Sequence, residues 1–114
     1  MERLTKYKKA VEQILGDQVN FPTDFYPHLK DLLVIDKQKN HFMVVTFGWD
    51  NEREYVNEIK FHVEVNRSRK VIIHENITDI ELLDLLIEGQ IKEEDILDGL
   101  EETFPRDNTN QKAA

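Results

Sequence analysis

Cysteine is absent from the 114 residues, which removes disulfides, thiolate metal sites and thiol nucleophiles together. That absence fits a reducing compartment. Serine occurs once, as Ser68 between Arg67 and Arg69 in a stretch that reads as a turn, so a nucleophilic triad lacks its positioned hydroxyl. The four glycines, Gly16, Gly48, Gly89 and Gly99, are scattered and make no phosphate-cradling loop. No apolar run approaches the roughly 18 residues of a membrane span, and the charged start Met1 to Lys9 has no signal-like apolar core. A cytoplasmic protein without a membrane segment is expected. Cations are also scarce: 15 Lys and Arg against 23 Asp and Glu leave a net charge of −8. Phosphate neutralisation supplies most non-specific DNA affinity, so DNA contact would need a concentrated basic patch. Two small clusters exist, Arg3, Lys6, Lys8 and Lys9 near the start and Arg67, Arg69 and Lys70 further on, and both read first as solvated surface.

What is present fits one α+β domain over residues 1–104, followed by a polar tail, 105–114. The most apolar stretch, His41 to Trp49, ends in the only tryptophan and a Gly-Trp-Asp-Asn turn. It is too short for a buried helix and reads as the central strand. Met43, Val45, Phe47 and Trp49 share one face of it, and that wholly apolar face is expected to lie under a helix layer. On the other face Gly48 marks a bulge or a close backbone approach. Ahead of it, Leu4, Tyr7, Val11, Ile14 and Leu15 form one stripe of a helix over about 3–17. Gly16 and Asp17 are expected to close that helix, and the loop Asn20 to Pro27 holds three aromatics. Asp31–Asp36 reads as a strand. Residues 57–65 alternate Ile59, Phe61, Val63 and Val65 against Glu58, Lys60, His62 and Glu64, a half-buried antiparallel strand. A turn at 66–69 leads to a returning strand, Lys70–Glu75. Thr78-Asp-Ile-Glu81 matches a capping box for a helix apolar on most sides, which Gly89 ends. A last helix is expected from about Lys92, with Ile91, Ile96, Leu97 and Leu100 inward. The sum is an N-terminal helix, an antiparallel sheet of about four strands, and two C-terminal helices packed on one face.

Two groups of residues carry candidate chemistry. His62 and Glu64 share a strand face and His74 sits on the next strand, so a polar His/Glu cluster forms if the register brings His74 round. Imidazole and carboxylate are metal and acid–base ligands. Histidines on a solvated face are more often plain surface, and neither a metal nor a cofactor is assigned. Trp49, Asp50, Arg53 and Tyr55 surround the Gly-Trp turn. Trp, Tyr and Arg are the types enriched at binding hot spots, which makes these residues the candidate partner contact, against the plainer reading of a core tryptophan beside an ordinary turn.

Gly48-Trp49-Asp50 with Arg53, Tyr55 and the following His62 strand resembles the signature of the XisI family, the fdxN element excision controlling factors of cyanobacteria. The Leu4-x-x-Tyr7-x-x-x-Val11-x-x-Ile14-Leu15 helix is similar to that family's start. Ile91-Lys-Glu-Glu-Asp95-Ile-Leu-x-Gly99-Leu100 is similar to its late segment. The chain departs from the pattern after Gly99, where Glu101-Glu-Thr-Phe-Pro replaces a basic, aromatic ending. The resemblance implies a non-catalytic accessory factor for excising a DNA element in heterocyst-forming cyanobacteria, working with an XisH-like protein. The apolar helix after Thr78 adds the expectation of a homodimer or heteromer. An antitoxin-like escort of a nuclease-like protein and a direct DNA-binding factor remain open beside it.

Overall fold

The computed structural model describes residues 2–19 and 26–99. The predicted tail, Leu100, and Phe21 and Phe25 of the aromatic loop lie outside the described residues. Helix α1 (Glu2–Val19) is followed by β1 (Leu29–Asp36), β2 (His41–Trp49), β3 (Tyr55–Val65) and β4 (Val71–Asn76). Helix α2 (Leu82–Glu88), a 3₁₀ turn (Glu93–Asp95) and β5 (Ile96–Asp98) complete the order. The sheet runs β1-β2-β3-β4-β5, antiparallel except for the parallel β4–β5 pair. The expected α+β class and four-strand meander are therefore present, with a fifth strand added.

That fifth strand replaces the expected helix over its first residues. Glu93 to Asp98 form the 3₁₀ turn and β5, because Ile96 and Leu97 complete the sheet beside Val71 and Ile72. Pairing and burial outweigh the favourable placement of Glu93, Glu94 and Asp95 at a helix start. A parallel neighbour needs a crossover, and α2 supplies it. The capping box does not form either. Thr78 is held in a turn instead, its hydroxyl donating to Asn76 Oδ1 (2.7 Å) and accepting from the Ile80 amide (3.0 Å), so α2 begins later, after Glu81. It buries Leu82 and Leu86 and leaves Leu83 and Ile87 exposed; within the chain it is buried on one side only.

Gly16 does not stop α1. The helix continues to Val19, and Gln13 donates to Asp17 one turn on (3.0 Å). Tyr7, Val11 and Leu15 of α1 pack with Leu82 and Leu86 of α2 over Phe42, Val44, Phe61, Val63, Val65 and Val71. The helices thus cover the Phe42/Val44 face of the central strand, and the expectation for Met43, Val45, Phe47 and Trp49 is reversed. Both faces of β2 are apolar, so the strand alone does not say which is covered; its neighbours decide, since Phe42 pairs with Val63 and Val44 with Phe61.

Two bulges set the remaining faces. Val44 pairs with Phe61 but Val45 with Ile59, leaving Lys60 as the extra residue. Ile59 is thereby turned off the Phe61 face and is 42% exposed. Lys60 reaches Asp31 (3.0 Å), which also accepts the Thr46 hydroxyl (2.7 Å). Across β3–β4, His62 pairs with Glu75 and Val63 with Ile73, so His74 is the second extra residue.

Candidate functional site

The β2–β3 turn is held from within. Asp50 Oδ1 accepts the amides of Glu52 (2.8 Å) and Glu54 (2.9 Å), and the Asp50 amide donates to the Glu54 carbonyl (2.9 Å). Arg53 takes a left-handed backbone, φ 65°, and donates its amide to the Asp50 carbonyl (3.1 Å). Just before the turn, Gly48 has φ 128°, and a Cβ there would overlap the His28 carbonyl oxygen. This is the close backbone approach anticipated from the sequence, and it leaves the Trp49 amide donating to the same carbonyl (3.1 Å). The structure brings Trp49, Asp50, Arg53 and Tyr55 together on this tip. Trp49 and Tyr55 meet edge to face at 5.2 Å and are 52% and 56% exposed. The tryptophan is therefore not a core residue, and with His28, Asp50 and Arg53 it lines an open groove.

From the tip the uncovered sheet face continues as an apolar band. Leu32, Val45 and Ile59 lie in one cross-strand row. Met43, Val45, Ile59 and Ile77 line a shallow depression with Glu75 at its edge. Leu32, Ile59 and Ile77 are all more than two-fifths exposed.

At the far end of the same face stands an imidazole cluster. The anticipated His62, Glu64 and His74 do meet: alternation along β4 from Val71 and Ile73 sets His74 on the His62 side, and the bulge there leaves Glu75 as the residue paired with His62. His74 Nε2 lies 2.9 Å from Glu64 Oε1, and the His62 and His74 ring centres are 4.7 Å apart. His41 belongs with them: its Nδ1 is 2.8 Å from His62 Nε2, and its ring lies 6.0 Å from that of His74. Sequence reasoning missed His41: pairing β2 with β3 outward from the Trp49 turn sets it opposite Val63, and only the extra residue Lys60 brings it opposite Glu64. A methyl group at Gly99 would sit 2.9 Å from His74 Nδ1, so this glycine leaves room for the ring. A hydrogen bond between two imidazole nitrogens needs a lone pair on one of them, so at least one of His41 and His62 is neutral. Burial, then the neighbouring His74 and His41, lower the His62 pKa below its ordinary value, against the pull of Glu64 and Glu75. The arrangement suits proton sharing. Among the described residues no group of three or more His, Asp or Glu is placed to hold a metal ion.

On the covered side, the two basic clusters converge on one buried acid. Asp95 is 5% exposed; it accepts the Tyr7 hydroxyl (2.6 Å) and the Lys70 ammonium (3.2 Å), with Arg3 at 3.9 Å. The Tyr7 hydrogen bond is the chief cause holding the Asp95 carboxyl below its ordinary pKa, and burial opposes it. Arg3 and Lys70 thus serve the interior at least in part, which takes charge out of both clusters.

The profile of the XisI family, described as XisI protein, matches residues 1–112. The chain belongs to the XisI family. Two solved structures share its fold. A XisI-like protein from Anabaena variabilis superposes with a TM-score of 0.74 at 22% identity, covering 97% of this chain and 99% of that one. The fdxN element excision controlling factor XisI from Anabaena variabilis gives a TM-score of 0.69 at 23% identity, covering 88% of each chain. Among curated proteins none matches. The XisI-like segments noted in the sequence now have places: Tyr7 and Asp95 bond to each other, Gly48 and Trp49 build the tip, and Gly99 backs His74. No helix among the described residues is long and apolar enough to cross a membrane.

Proposed function

We propose that this XisI-family chain is an accessory factor controlling excision of an fdxN-type DNA element, acting by protein–protein contact with an XisH-like partner rather than by chemistry of its own. The observation that carries the reading is the tip. Trp49 and Tyr55, packed edge to face and half exposed beside an arginine, present the residue types that dominate interface energetics. Arg53, with Asp50 and His28 around it, supplies the polar side of such a contact. The protein named as an excision controlling factor in Anabaena variabilis shares this fold, which supports the wider role.

The test is co-expression with the XisH-like protein followed by size-exclusion chromatography with light scattering. A co-eluting complex is expected. Arg53→Ala and Trp49→Ala should each weaken it at least ~10-fold, within the range of hot-spot truncations, while leaving the far-UV circular dichroism unchanged. Separate elution of the two wild-type proteins overturns the partner reading.

A further inference from the structure

We infer that the uncovered sheet face is the contact surface for a second copy of this chain, two sheets stacking face to face about a two-fold axis that runs across the strands near Val45. A dimer of this kind goes beyond the partner reading and competes with a partner at the tip, since its face includes Trp49 at the end of β2. Three observations carry it.

The apolar band lies at mid-face. Val45 is the middle residue of β2, and Leu32 and Ile59 flank it in the same row. A two-fold axis through that row sets each band against its own copy, the self-complementary arrangement an isologous dimer requires.

The charges at the two ends of the strands differ in sign. The β1–β2 and β3–β4 turns lie side by side, joined by the Val65 amide to the Asn40 carbonyl (3.0 Å), and they carry Lys37, Lys39, Arg67 and Arg69, while Lys70 there is paired with Asp95 and Glu64 with His74. Asp36 there is engaged by the Gln38 and Lys39 amides. The opposite end carries Glu52, Glu54 and Glu58, with Asp50 likewise engaged by the Glu52 and Glu54 amides, and Lys30 and Arg53 as its cations. An axis along the strands would put like ends together. An axis across them puts the basic end of one copy over the acidic end of the other, the complementarity that selects one docking mode over another.

The area is sufficient. A face of nine residues along β2 by three to four strands measures about 30 Å by about 15 Å. Two such faces remove on the order of 1,000 Å² from water, the lower bound for a specific interface. Stacked sheets align within about 30°, which keeps the two bands in register.

Light scattering on the full chain at about 50 µM tests this. The expected mass is twice 13.5 kDa; a monomer at that concentration overturns the inference. Ile59→Lys, at a position already partly exposed, should raise the dimer dissociation constant about 100-fold or more with unchanged circular dichroism. Leu83→Lys on the exposed side of α2 is expected to leave the dimer intact, and the opposite pattern would move the interface to α2. Dissociation should increase with salt. A dimer that tightens with salt refutes the axis across the strands.

Discussion

The two faces of this sheet are made from the same kinds of residue, and only one is covered. Phe42, Val44, Phe61, Val63 and Val65 lie at most 3% exposed beneath the helices, while Leu32 and Ile59, close to them in the chain, are 52% and 42% exposed. Hydropathy does not separate the two sets. Connectivity and the Lys60 bulge do, because both helices return to one side and the bulge turns Ile59 to the other. Apolar residues on a strand therefore state a need for cover, and the fold meets that need for one face.

The largest expected effect breaks the comparison if it fails. Phe61→Ala should cost about 3–5 kcal/mol of unfolding free energy, a buried aromatic truncation leaving a cavity. Ile59→Ala, two residues away on the open face, should cost less than about 1 kcal/mol when both are measured by urea denaturation at a concentration where the chain is monomeric. Equal costs would mean that Ile59 is covered within the chain itself. Gly48→Ala comes next, at about 3 kcal/mol. Its positive φ and the overlap of a Cβ with the His28 carbonyl act together, and the loss should be seen in the thermal midpoint.

Much of this was legible beforehand, for identifiable reasons. β2 came from an apolar run closed by turn residues, the close approach at Gly48 from a glycine set beside a tryptophan, and the His62–Glu64–His74 meeting from strand alternation. The misses have physical causes too. The side of β2 that faces the helices depends on neighbouring strands, so Met43 to Trp49 were set on the wrong side. Bulges leave no mark in an alternation pattern, which hid the turning of Ile59. The stretch from Lys92 combines acids suited to a helix start with apolar residues that serve equally well in β5. Tertiary pairing outweighs local preference there, and the Lys60 bulge hid His41 as well, since only that extra residue sets it opposite Glu64.

Tyr7→Phe sharpens the account of the covered side. It removes the hydroxyl that donates to Asp95 and accepts from the Lys92 amide (3.3 Å) while keeping the ring's packing. A hydrogen bond to a buried carboxylate is worth about 1.5–3 kcal/mol, so a loss near 2 kcal/mol in urea denaturation is expected. A neutral result would show that Lys70 and Arg3 satisfy Asp95 unaided.

The smallest effect separates the two faces by pH. Asp95 has a folded pKa below its ordinary value of 3.8, so its contribution is present above that value and is lost as pH falls through the folded one. His62 on the open face has a folded pKa below its ordinary 6.5. Here the unfolded chain takes up the proton first, so stability falls as pH drops below 6.5 and stops falling once the folded ring is itself protonated. Thermal midpoints should thus decline in two steps, a mild one beginning near neutrality and a second in the acid range. His62→Gln is expected to flatten the first step alone, since an amide in place of the ring removes the proton uptake and leaves Asp95 untouched. If the near-neutral slope survives that substitution, the imidazole cluster is not its source, and the packing of His41 and His74 against His62 has no consequence for proton uptake.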